Sequence, residues 1–162
     1  MSHYTSIKLV CRNRASIVAA LEALRFKATV HDDAVHLYGI GNRRRPEVAN
    51  VVVHRRQICP GANDLGFVYN QNTDAYEMII SEFDQRHGDC FPGRGLGRSF
   101  QRRFVEEYAV AEIERDGRYV ITDRRRTADG RYQIELKLAL AYEGVGLGET
   151  TDSSSSFANY EV

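Results

Sequence analysis

From Tyr132 to Leu138, apolar and polar side chains alternate without a break. The apolar positions are Tyr132, Ile134, Leu136 and Leu138. Side chains two residues apart lie on the same face of a strand, so this pattern predicts an antiparallel sheet with one packed face and one wet face. The Asp-Gly pair at positions 129–130 predicts a hairpin turn between strands at residues 118–122 and 130–140.

Six other segments carry strand patterns. They lie at residues 3–12, 26–30, 34–38, 48–54, 65–69 and 75–83. The His-Asp-Asp sequence at 31–33 predicts a hairpin turn between the second and third of these segments, and residues 70–74 predict another between the last two. Residues 39–46, 59–64 and 84–97 are predicted to be loops or irregular segments, the last of them rich in glycine.

Two segments have apolar residues at helical spacing. The first covers residues 14–25 behind Asn13, a residue type that favours the helix N-cap. The second covers residues 98–115 and is predicted to end at Asp116-Gly117. The fold class predicted from these elements is α+β, a mostly antiparallel sheet packed by two amphipathic helices. We expect one domain over residues 1–142.

Residues 143–162 differ in composition from the rest of the chain. They are rich in glycine and serine and contain acidic residues but no lysine or arginine. This composition predicts a flexible tail. Phe157 and Tyr160 restore apolar surface near its end, so we interpret them as a candidate docking segment for a partner. The alternative is a tail without a role.

Composition limits the class of protein. The chain has 162 residues, its longest apolar runs are far too short to span a bilayer, and its first residues lack a signal-peptide layout. Three cysteines are too few, and odd in number, for a disulfide framework. We therefore expect a cytoplasmic protein with reduced thiols and no membrane contact.

Positive charge is concentrated in blocks, although the formal net charge is zero. The arginine blocks are Arg43, Arg44 and Arg45; Arg55 and Arg56; and Arg124, Arg125 and Arg126. Such blocks are typical of solvated loops, of protein interfaces and of surfaces that contact nucleic-acid phosphates. A nucleic-acid-binding protein normally has a basic overall balance. Zero net charge therefore favours a protein partner or self-association, and nucleic acid stays an alternative.

A glycine-rich segment precedes the second predicted helix. Its candidate anion-binding residues are Gly93, Gly95, Gly97, Arg98 and Arg102. Backbone N–H groups of glycines and of a helix start can face a phosphate or carboxylate. The segment lacks the Lys-Ser/Thr ending of a P-loop. The alternatives are a loop that caps the helix through Gly97 or Ser99, and a small-molecule enzyme built on this anion site.

Other chemistry has little support. His87 and Cys90 form one short-spaced pair of potential zinc ligands, but no second pair accompanies them. Neither Cys59 nor Cys90 lies in a recognisable nucleophile signature. We expect no metal, no cofactor and no catalytic residues. Asp64 is interpreted as a turn residue that accepts hydrogen bonds from nearby backbone amides.

Three motifs carry a family resemblance. They are Met-Ser-His-Tyr-Thr at residues 1–5, Asp-Leu-Gly-Phe at 64–67 followed by Tyr-Glu at 76–77, and Tyr-Ala at 108–109 followed by a strand that begins at Gly130. Together, over roughly residues 1–140 with gaps, the chain resembles an uncharacterised family of small proteins from bacteria and some algal chloroplast genomes, of the "ycf thirty-five" type. The basic segment 39–63, the glycine-rich stretch 85–97 and the tail depart from that pattern.

The resemblance implies a compact α+β domain without assigned catalytic residues. It also implies an accessory role, because members of the family are associated with ATPases of the AAA class. We therefore expect a non-catalytic binding or accessory protein that acts in a protein assembly. A nucleic-acid or phosphate-binding module and a small-molecule enzyme are the alternatives.

Overall fold

The computed structural model describes residues 4–87 and 99–139 of the chain. The predicted α+β class is confirmed. The chain divides into two compact units, Met1–Tyr108 and Ala109–Val162. The predicted domain end at residue 142, and the whole predicted tail, lie outside the described residues.

The first unit contains a five-stranded antiparallel sheet. Its strands are β1 Tyr4–Cys11, β2 Ala28–Tyr38, β3 Arg44–Val53, β4 Leu65–Asn70 and β5 Ala75–Ser81, in the spatial order β1-β5-β4-β3-β2. The helices are α1 Arg14–Ala23, the short α2 Glu82–His87, and α3 Phe100–Asp116, which continues into the second unit. Short 3₁₀ turns at Ile40–Asn42 and Arg55–Gln57 follow β2 and β3.

One sheet face of the first unit carries the main core. Phe67, Met78 and other apolar side chains of the sheet pack against α1 and the first half of α3. The ring centroids of Phe67 and Phe104 lie 4.8 Å apart, and both side chains are fully buried. Burial of a side chain of this size contributes about 1.5–3 kcal/mol relative to exposure. The apolar spacing that predicted the two helices therefore places their buried faces correctly.

The start of α1 is fixed by two kinds of contact. The Asn13 side chain accepts hydrogen bonds from the backbone N–H groups of Ala15 (2.9 Å) and Ser16 (3.2 Å), as predicted for an N-cap. The Tyr108 hydroxyl accepts hydrogen bonds from the backbone N–H groups of Arg12 (3.0 Å) and Asn13 (3.1 Å). Since Tyr108 belongs to α3, this hydroxyl joins the end of β1 to that helix.

The opposite face of the sheet holds a smaller cluster around Gly66. Leu37, Ala49 and Ile79 are buried there. A Cβ atom at position 66 would lie 2.6 Å from the Cβ of Ala49 and 3.0 Å from Leu37. Glycine is therefore required at this position by close packing across the sheet.

The predicted hairpin at residues 26–38 is wrong. Strand β2 continues through residues 31–33 and pairs with β3 on both sides of them. Val30 lies opposite Val51. Val35 lies opposite Ala49. Between these two pairs, β2 runs five residues, from Val30 to Val35, whereas β3 runs only two, from Ala49 to Val51. The additional residues of β2, which include the His-Asp-Asp stretch, therefore form a bulge instead of a turn.

Asn50 supports β3 where β2 bulges. Its Nδ2 donates to the backbone oxygen of Asp32 (3.1 Å), and its Oδ1 accepts from the backbone N–H of Tyr69 (3.0 Å). An amide side chain can act as donor and acceptor at once. Asn50 therefore connects β3 to both neighbouring strands without a regular ladder.

Three other predicted irregular segments need correction. The segment predicted to be irregular from residue 84 begins with α2, which extends to residue 87. The arginines of the first and third blocks were predicted in loops, but Arg44 and Arg45 belong to β3, and Arg124, Arg125 and Arg126 belong to a strand of the second unit. Backbone pairing across the sheets overrides their loop-like composition.

The described part of the second unit consists of the end of α3 and a two-stranded sheet. The strands are β6 Tyr119–Arg126 and β7 Tyr132–Leu138, and they form the predicted hairpin. Val110, Ile113 and Ile134 are its buried cluster. Gly117, where the helix is predicted to stop, has φ of 72°, and Gly130 in the predicted turn has φ of 86°.

Candidate binding surface

A shallow depression of about 310 Å³ lies on the first unit, between the two 3₁₀ turns and the loop that precedes β4. We call it the arginine pocket. Its lining residues are Ile40, Gly41, Arg55, Arg56, Cys59, Pro60, Gly61 and Ala62. The second arginine block of the sequence therefore lies beside apolar side chains in a concave surface.

Asp64 is buried next to Arg55, which lines the pocket. Its side chain is 3% exposed, and its Oδ1 accepts from the backbone N–H of Arg55 (2.8 Å) and from the Arg55 guanidinium (3.1 Å). Its Oδ2 accepts from the backbone N–H of Tyr38 (2.8 Å), and its own N–H donates to the Tyr38 carbonyl (2.9 Å). These partners are 26 and 9 residues away, so Asp64 joins distant segments instead of closing a local turn.

The Arg55 guanidinium is engaged by three neighbouring side chains. Its guanidinium pairs with Asp64, donates to the Asn42 side chain, and lies over the Tyr38 ring with Cζ 6.0 Å from the ring centroid. A buried carboxylate needs such partners because removing a charge from water is costly. Arg55 therefore shapes the surface, and its positive charge is largely neutralised by Asp64.

The residues around Arg55 are more accessible. Ile40 is 47% exposed and Tyr38 is 40% exposed, which is high for large apolar side chains. Arg56 is exposed, while its backbone N–H donates to the His54 Nδ1 (3.2 Å). The surface around the pocket thus combines an aromatic ring, an aliphatic side chain and a solvent-facing guanidinium.

Some arginines of the predicted blocks form ion pairs in the structure, and others are exposed to solvent. Arg43, Arg44 and Arg56 are exposed, and none of the ion pairs within residues 4–87 and 99–139 involves them. Arg45 is half-buried. The first two blocks therefore contribute three accessible positive charges to the surface of the first unit.

In the second unit, the third block is engaged differently. Arg125 pairs with Glu135 (2.9 Å) and approaches Asp123 (3.9 Å). Arg126 lies over the Tyr132 ring, with Cζ 5.9 Å from the centroid. Arg124 is exposed on the same strand. Acids that neighbour these arginines in the sheet reduce the net positive charge of this surface.

Most of the predicted anion site cannot be placed. Gly93, Gly95, Gly97 and Arg98 lie outside the described residues, as do Phe157 and Tyr160 of the tail. Arg102 lies on α3, exposed, with its Nε 3.9 Å from the Glu106 carboxylate. The grouping of the glycines with Arg102 around an anion therefore stays a prediction.

Sequence reasoning missed a buried polar cluster next to Asp64. The backbone N–H and Nδ2 of Asn63 donate to Asp84 Oδ2 (2.9 and 3.0 Å), and Nδ2 also donates to the Ser81 hydroxyl (3.0 Å). All three side chains are almost fully buried. The cluster fixes the loop before β4 to the end of β5 and to α2. Its only sequence signal is an Asn-Asp pair in a loop, which does not identify partners 18 and 21 residues away.

Across the described ranges, no three His, Cys, Asp or Glu side chains are grouped so that they could hold a metal ion. Among the helices the structure describes, none has the length and apolar character needed to cross a bilayer.

Comparison with protein-family models, curated proteins and solved structures finds no match to this chain. The resemblance to the "ycf thirty-five" type of family therefore stays a prediction.

Proposed function

We propose that this chain is a non-catalytic binding module that joins a protein assembly through the arginine pocket. The observation that carries the proposal is the exposure of Ile40 and Arg56 in one pocket, with the exposed ring of Tyr38 next to Arg55 of the same lining. Tyrosine and arginine are enriched among the residues that dominate protein–protein binding energy.

The hydrogen bonds of Asp64 next to the pocket support the proposal. Asp64 holds the backbone of Tyr38 and both the backbone and the guanidinium of Arg55 through hydrogen bonds. Side chains that are already fixed lose less conformational entropy when a partner binds. The pocket is thus preorganised for a partner that offers acidic groups next to apolar ones.

The charge of the surface indicates the chemistry of the partner. Arg43, Arg44 and Arg56 favour an acidic segment, and electrostatic complementarity increases both the association rate and the specificity. An ATPase of the AAA class is the first protein to test, because the family resemblance implies an accessory role beside such enzymes.

The test is capture of partners by the immobilised full-length chain and by two variants. Arg56→Glu reverses an accessible charge at the pocket. Arg12→Glu makes the same formal change at an exposed position after β1, away from the pocket lining. We expect a specific partner from the native host to be retained by the wild type and Arg12→Glu and reduced at least about tenfold by Arg56→Glu, a cost of about 1.4 kcal/mol. Equal retention by all three would contradict the proposal.

Nucleic acid is the second candidate, favoured by the accessible Arg43, Arg44 and Arg56. Single- and double-stranded oligonucleotides would be titrated at about 50 and 200 mM salt, because each released counterion steepens the loss of affinity with salt. Binding that falls steeply with salt and is weakened by Arg56→Glu would support it. No binding at the lower salt concentration would remove it.

A further inference from the structure

We propose that the arginine pocket is occupied by the acidic segment 143–162 of a second copy of this chain. The inference rests on the proposed function, because it names the partner that the same pocket would take.

The charges are complementary. Segment 143–162 contains Glu143, Glu149, Asp152 and Glu161 and no lysine or arginine. Arg56 lines the pocket, and the exposed Arg43 and Arg44 directly follow the 3₁₀ turn at Ile40–Asn42, part of which lines it. None of these arginines takes part in an ion pair among the residues that the structure covers. An acidic segment would supply the missing partners.

The apolar groups are complementary as well. Phe157 and Tyr160 follow Glu143, Glu149 and Asp152 in the segment. Ile40 is exposed in the pocket lining, and the exposed ring of Tyr38 contacts the Arg55 guanidinium. The volume of about 310 Å³ is at the lower end of the roughly 300–1,000 Å³ that ligand pockets span. A depression of this volume has room for one aromatic side chain of a peptide.

Each copy would carry one pocket and one acidic segment. Two copies can then exchange their segments, so that each pocket binds the segment of the other copy in a closed, symmetric dimer. Twenty extended residues span at most about 70 Å, which is enough to reach a neighbouring molecule. A second copy is therefore a sufficient source of the segment, with no further protein needed.

The experiment uses two complementary full-length variants and the molar mass in solution. Arg56→Glu damages the pocket and leaves the segment intact. Glu149→Arg with Asp152→Arg damages the segment and leaves the pocket intact. We expect a dimer for the wild type and for Arg12→Glu, monomers for each variant alone, and recovery of the dimer when the two variants are mixed. Only exchange of a segment between copies predicts this recovery.

A labelled synthetic peptide of residues 143–162 gives the second measurement. We expect it to bind the double segment variant, whose pocket is intact, and to bind Arg56→Glu at least about tenfold more weakly. A monomeric wild type, or monomers that stay monomeric on mixing, would overturn the exchange. If the wild type is monomeric but Arg56→Glu reduces the capture of a protein partner, the proposed function stands and this inference fails. If Arg56→Glu changes neither the molar mass nor the captured partner, the proposed function and this inference both fail.

Discussion

At the scale of single residues, Gly66 and Asp64 show what individual positions contribute. Gly66 has no Cβ because the second face of the sheet leaves no room for one beside Ala49. Asp64 is buried because backbone and guanidinium donors satisfy both of its carboxylate oxygens. Both residues belong to the Asp-Leu-Gly-Phe motif at 64–67. The motif is therefore explained by packing and hydrogen bonding and requires no catalytic role.

Gly66→Ala should destabilise the chain by about 1–3 kcal/mol, because the new methyl group overpacks the cluster of Leu37 and Ala49. The measurement is the free energy of unfolding in urea. Ala49→Gly removes the nearest atom, so the same substitution should cost less in that background. An equal cost of Gly66→Ala in both backgrounds would show that contact with the Ala49 methyl group is not the cause.

At the scale of elements, α1 illustrates a boundary that local chemistry determines. Asn13 accepts hydrogen bonds from two backbone N–H groups of the first turn, which have no partner within the helix. The bulge in β2 illustrates the opposite case. The same residue types favour a turn or a bulge, and pairing with β3 decides between them.

Asn13→Ala should lower the free energy of unfolding by about 1 kcal/mol, the usual cost of losing an N-cap. Asn13→Ser is the matched control, because a serine side chain can accept the same hydrogen bonds. The backbone N–H of Asn13 that donates to Tyr108 is present in both variants. Thermal or chemical unfolding that shows the same loss for alanine and serine would exclude the cap as the source.

At the scale of the whole molecule, 22 basic and 22 acidic residues give a formal net charge of zero and a sequence pI of about 7.0. Repulsion between copies is therefore weakest near neutral pH, where oppositely charged blocks can attract. The pocket and the acidic segment, which lie far apart in the sequence, are one such pair of blocks.

Self-association should consequently be strongest near pH 7 at low ionic strength. It should weaken at about 0.3 M NaCl, because surface charges are then screened within a few ångströms. Light scattering across pH and salt measures this dependence. Association that strengthens with added salt would point to an apolar interface instead.

The sequence by itself determined the α+β class, the cap of α1, the two long helices, the turn at 70–74 and the final hairpin. These features depend on periodicity and on turn or cap residues within a few positions. Only the tertiary structure decided that residues 31–33 bulge, that Arg55 is neutralised by Asp64, and that Asn63 bonds to Ser81 and Asp84. These contacts join segments far apart in the chain, and an arginine or aspartate in a loop has the same local pattern whether it is buried in a pair or exposed to water.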